Sequence, residues 1–139
     1  MEKSQKAGPA GKTILIVDDE FGVLEVLEFI LSDAGFTVVS ALNGQEAVAR
    51  LKDTRPDLAI VDFMMPILDG NGVIKAIRAD KRLRKIPIIL ASALPEKTIR
   101  ERCDGYTTFL RKPYKTEQLM EEISKLLDHR GKAIPKIVR

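Results

Sequence analysis

One cysteine and one histidine are all that this chain of 139 residues has of those two types. A lone Cys103 forms no internal disulfide, so a reducing, cytoplasmic setting is the simple expectation. A lone His129 excludes multi-histidine metal sites; it reads as a solvent-facing residue near a helix end. Tryptophan is absent and aromatic residues amount to 5%. No apolar run approaches the roughly 20 residues needed to cross a bilayer, so no membrane insertion is expected. The N-terminal lysines lack the apolar stretch that would make a signal peptide. Charge is not one-sided either. The 23 basic and 20 acidic residues leave +3, too mild a balance to imply direct nucleic-acid binding.

What is present is an ordinary globular composition, 45% apolar and 31% charged. The length suits one domain with its own core. Residues 1–12 are polar, with Gly and Pro, and read as a disordered leader. Residues 13–129 carry the periodic pattern, and 130–139 form a basic tail. "TILIVD" is a buried strand. Val23, Leu24, Leu27, Ile30, Leu31 and Ala34 then mark one helix face, with Gly35 at C′. "FTVVSA" is a second strand. Asn43 caps a short helix with Ala47, Val48 and Leu51 inward. "DLAIVD" is a third strand, followed by a loop through Pro66, Asp69 and Gly70 and a helix on Val73, Ile74 and Ile77. "PIILAS" is the fourth strand. A short polar helix runs from Glu96 to about Cys103, and "YTTFL" is the fifth strand. The last helix uses Leu119, Ile123, Leu126 and Leu127.

Five strands alternating with five helices predict an α/β fold with a doubly wound parallel sheet covered on both faces. Ligand sites in such sheets lie outside the carboxyl ends of the strands. The first strand ends at Asp18 and Asp19, the third at Asp62 and the fourth at Ser92; Lys112 and Pro113 follow the fifth. Three converging carboxylates repel one another unless a cation binds. Oxygen-only ligands favour Mg²⁺, with Mn²⁺ or Ca²⁺ as alternatives, over zinc. With one lysine and one hydroxyl added, the set suits phosphoryl transfer to a carboxylate. Each residue singly is an ordinary solvated strand end or cap; the coincidence of four strand ends carries the reading.

"IVDDE", "LAIVDFMMPILDG", "ILASA" and "FLRKP" together resemble the motifs of response-regulator receiver domains, over roughly Thr13 to His129. The resemblance implies the flavodoxin-like strand order 2-1-3-4-5. It implies that Asp62 is the phosphoacceptor nucleophile, served by a histidine kinase or histidine phosphotransfer protein. It places the metal on Asp18, Asp19, Asp62 and the Met64 backbone carbonyl, and sets Ser92 and Lys112 on the phosphoryl oxygens. Ser92 and Phe109 become the switching pair, and the Lys112–Pro113 bond corresponds to one that is usually cis. Met64 and Leu94 fall where side chains flank the path of a hydrolytic water and set the lifetime of the phosphoryl group.

The separation from Ser92 to Lys112 is shorter than the family usually has, which puts the deletion in the fourth helix. The expected protein is a stand-alone receiver, monomeric or weakly dimeric. It is not a conventional enzyme, although it catalyses its own phosphorylation and a slow dephosphorylation. It acts in a two-component system or phosphorelay by switching a protein-binding surface or passing the group on. Three alternatives remain: a receiver excised from a longer response regulator or hybrid kinase, a flavodoxin-like cofactor binder, and an aspartyl phosphohydrolase. The acidic first loop "DDE" repels the phosphate that a flavin would place there. Adjacent rather than D-x-D acids argue against the hydrolase.

Overall fold

The computed structural model describes residues 11–128. The leader up to residue 10, His129 and the basic tail lie outside the described residues. Ten elements follow in order: β1 (Thr13–Val17), α1 (Phe21–Asp33), β2 (Thr37–Ala41), α2 (Gly44–Arg50), β3 (Leu58–Asp62), α3 (Gly70–Ala79), β4 (Ile88–Ser92), α4 (Glu96–Arg100), β5 (Thr108–Arg111) and α5 (Thr116–Asp128). All strand pairs are parallel, in the order β2-β1-β3-β4-β5. The expected architecture and order are both present.

Strand alternation sorts the core into two layers. Leu15 and Val17 of β1 join the layer under α2, α3 and α4, with Ala47, Val73, Ile77 and Ile99. Ile14 and Ile16 join the layer under α1 and α5, with Leu24, Leu31, Leu119 and Ile123. Of the three inner strands, β3 and β4 are buried at every position and β1 at all but its first, as covered parallel strands must be. Each fully buried Leu or Ile contributes about 1.5–3 kcal/mol by leaving water. These layers hold the strand ends in place.

Local chemistry sets the boundaries. The Asn43 side chain accepts from the Glu46 N–H at 2.7 Å, and the Glu46 carboxylate accepts from the Leu42 N–H at 2.7 Å, so α2 is capped reciprocally. Gly35 ends α1 at a φ of +102°, the backbone its position requires. The fourth helix stops at Arg100 rather than near Cys103: the Glu101 and Arg102 N–H groups donate to the Thr98 and Ile99 carbonyls three residues back, so the helical ladder gives way to a tight turn. The fifth strand begins at Thr108, two residues later than its apolar run suggests. The Thr107 hydroxyl takes the Ile88 N–H at 3.0 Å, occupying a place the ladder would otherwise fill. Tyr106 lies wholly buried beneath the short α4, and its hydroxyl donates to Glu96 at 3.2 Å. Its large ring occupies the layer beneath this five-residue helix.

Candidate phosphoacceptor site

β1 and β3 pair Val17 with Val61, so Asp18 and Asp62 emerge side by side at the carboxyl edge. Asp62 pairs with Ala91, which places Ser92 one residue beyond it on β4. The Lys112 N–H donates to the Ser92 carbonyl at 2.8 Å, bringing the lysine to the same edge. The Lys112–Pro113 peptide is cis. The loop after β3 is closed by the Gly70 N–H, which donates to the Phe63 carbonyl at 2.9 Å. A Cβ at Gly70 would stand 2.8 Å from the Asp62 carbonyl oxygen, so only glycine lets α3 start this close to the site. Asp69 caps α3 by accepting from the Gly72 N–H at 3.1 Å.

The three carboxylates do converge. One oxygen from each of Asp18, Asp19 and Asp62 lies within 4.8 Å of the others. Asp18 and Asp62 are buried, whereas Asp19 is exposed at the rim. Lys112 Nζ stands 3.0 Å from Asp18 and 3.2 Å from Asp62. The other Asp18 oxygen accepts from the Glu20 N–H at 3.0 Å. One cation thus faces three acids. Burial, reinforced by the charge of Asp18 and only partly offset by Lys112, pushes the Asp62 carboxyl up to about 6. For Lys112 burial pulls downward, but the hydrogen bond to Asp18 and the charges of Asp62 and Asp18 outweigh it and hold the ammonium above its ordinary value. An oxygen-only cluster with excess negative charge fits a hard divalent ion.

The remaining expected residues are nearby, in different settings. Ser92 is buried, and its hydroxyl accepts from the Leu94 N–H at 3.1 Å. Met64 is 55% exposed beside the nucleophile, while Leu94 packs partly into the layer under α4. The Phe109 ring is partly buried in that same layer, 6.4 Å from the Tyr106 ring. Cys103 is a buried thiol pushed up to about 12 by burial and by Asp104, consistent with an inert core residue.

Sequence reasoning passed over two residues. The sequence pattern assigns Tyr106 only to the start of a strand. The motif "FLRKP" gives Arg111 no role, yet its Nε donates to the Ala93 carbonyl at 2.7 Å. Strand alternation, which puts Arg111 on the same face as Phe109, was the available signal.

A response regulator receiver domain model matches residues 14–124. The chain belongs to the response regulator receiver domain family. This receiver is 35% identical over 124 residues to a probable transcriptional regulator, ycf27, of Porphyridium aerugineum, covering 86% of the chain and 50% of the relative. It is 33% identical over 123 residues to the phosphate regulon transcriptional regulatory protein PhoB of Pseudomonas aeruginosa, covering 87% and 54%. The chain therefore spans about half the length of these curated relatives.

Among solved structures, the receiver domain of a signal transduction histidine kinase from Syntrophus aciditrophicus is 36% identical with a TM-score of 0.79, covering 88% of this chain and 95% of that one. The receiver domain of a sensor histidine kinase from Pseudomonas aeruginosa is 31% identical with a TM-score of 0.78, covering 86% and 99%; it is described with a magnesium ion coordinated in its active site cleft. Nothing comparable speaks for manganese. Among the described residues no helix is long and apolar enough to cross a membrane.

Proposed function

We propose that this receiver accepts a phosphoryl group on Asp62 from a phosphohistidine of a histidine kinase or phosphotransfer protein. The observation that carries the reading is the convergence of Asp62 with Asp18, Asp19 and Lys112 at one sheet edge. An Asp62 oxygen attacks phosphorus and the P–N bond breaks. The imidazole nitrogen keeps that electron pair and takes up a proton. Asp62 must be ionised to attack. Lys112, already within 3.2 Å of Asp62, is placed to turn from the carboxylates to a phosphoryl oxygen. A Mg²⁺ ion on Asp18, Asp19, Asp62 and the Met64 carbonyl would supply positive charge for the other phosphoryl oxygens.

A groove of about 550 Å³ between α1 and the segment leading into α5 would receive an apolar surface of the donor. Gly22, Val23, Val26, Pro113, Tyr114 and Leu119 line it together with Lys112. Phe21 and Phe29 of α1 are exposed at 62% and 74%, adding apolar area on the same helix.

Phosphorylation then draws the Ser92 hydroxyl toward the new oxygens and lets Phe109 turn further inward. That change biases the surface of α4, β5 and α5 toward a protein target or a relay histidine. The chain acts as a switched binding module, and its chemistry is confined to taking up and slowly losing its own phosphoryl group. To test this, mix the protein with Mg²⁺ and a phosphorylated histidine kinase, and follow transfer of label. Transfer that persists in Asp62→Asn would overturn the assignment.

A further inference from the structure

We infer that Arg111 is a latch on the loop joining β4 to α4, holding the receiver in its unphosphorylated arrangement. The inference rests on the phosphoacceptor reading above and adds a positioning residue to it. Three contacts define the resting loop. Arg111 Nε donates to the Ala93 carbonyl at 2.7 Å. The Leu94 N–H donates to the Ser92 hydroxyl at 3.1 Å. The Lys112 N–H donates to the Ser92 carbonyl at 2.8 Å. The last is a strand ladder bond and can stay in place during switching. The first two lie on the segment that must shift if Ser92 is to reach a phosphoryl group on Asp62.

Arg111 is well suited to such a role. It is paired with Ser92 in the β4–β5 register, so its side chain starts beside the switch residue. It is exposed, so its guanidinium can exchange the carbonyl for water at little cost. It shares a strand face with Phe109, two residues earlier, so release of the loop and movement of the ring occur on one side of the sheet. A single hydrogen bond of ordinary net strength corresponds to roughly a threefold to tenfold population ratio. That is large enough to bias a two-state loop and small enough for phosphorylation to overcome.

The test uses the full chain as wild type, Arg111→Met and Arg111→Lys, with acetyl phosphate and Mg²⁺. Two quantities are read: the phosphorylation rate by intact mass, and the amide shifts of Ala93 and Leu94 by NMR before phosphorylation. The latch predicts that both variants label threefold to tenfold faster. Their resting amide shifts should lie part-way toward those of the phosphorylated wild type. Simple loss of positive charge predicts slower labelling by an anionic donor, the opposite sign. Arg111→Lys keeps the charge but lacks the Nε donor. If it matches wild type, the latch is wrong. Variants that melt lower yet show wild-type rates and amide positions would make Arg111 a purely structural residue and also overturn it. Failure of wild type itself to take label would overturn the phosphoacceptor reading and the latch together. Normal wild-type labelling with indifferent variants removes the latch alone.

Discussion

Asp62 has a folded-state pKa of about 6 against an ordinary value of 3.8, chiefly because it is buried. The raised value means that the folded protein holds this proton more tightly than the unfolded chain does. The stabilisation this provides is complete below about pH 4 and is lost as pH rises through about 6. At neutral pH, without metal, the fold therefore carries an ionised buried carboxylate at a cost. Asp62→Asn should stabilise the chelator-treated protein at pH 7.5 by roughly 1 to 3 kcal/mol. Denaturation curves should show that advantage shrinking toward pH 4. A pH-independent difference would mean that Asp62 is not perturbed in this way.

Met64 and Leu94 permit a second test. Neither side chain can orient a water molecule by hydrogen bonding, and positioned orienting groups contribute about 10²–10⁴-fold in general. The Met64→Asn, Leu94→Glu double variant should lose its phosphoryl group at least about tenfold faster. Equal decay would show that these positions do not control the water. Leu94 already leans into the core, so Met64 should carry the larger share.

Among the elements, the loop between β3 and α3 carries the clearest strain. Ile67 has a φ of +70° and is 83% exposed, and the Leu68 N–H donates to the Pro66 carbonyl at 2.8 Å around it. This is a tight γ-turn centred on a β-branched residue that gains nothing from burial. Ile67→Gly should raise stability by up to about 1 kcal/mol, seen as a higher melting temperature.

The helices and inner strands were legible because their periods are undisturbed: every apolar position expected on α3 is buried. The α4 end and the β5 start were not. There the outcome depends on Thr107 substituting a hydroxyl for a backbone group and on Tyr106 filling the space beneath a short helix. Both are tertiary effects that no local pattern encodes. Likewise the acids, Ser92 and Lys112 were readable as strand-end residues. Arg111, whose partner is a backbone carbonyl on another strand, was not.

For the molecule as a whole, the alternation of elements implied a covered parallel sheet, while the strand order came from the family resemblance. The structure confirms both. That order brings the ends of β1 and β3 together and concentrates three acids against one lysine. Stability should therefore respond to divalent cations. A ligand at ten times its dissociation constant adds roughly 1.4 kcal/mol, or a few degrees in a domain of this size. Melting temperature should rise through millimolar Mg²⁺ and return to its starting value with chelator. The response should vanish in Asp19→Asn and weaken in Asp18→Asn.

The central claim is that this edge delivers a phosphoryl group to Asp62, and one measurement addresses it directly. The full chain is incubated with acetyl phosphate and Mg²⁺, and the adduct is mapped by mass spectrometry in wild type and in Asp62→Asn. The account predicts a single phosphoryl group on the Asp62 peptide in wild type and none in the variant. Undiminished labelling of Asp62→Asn, or a group mapped to another residue in wild type, would contradict it.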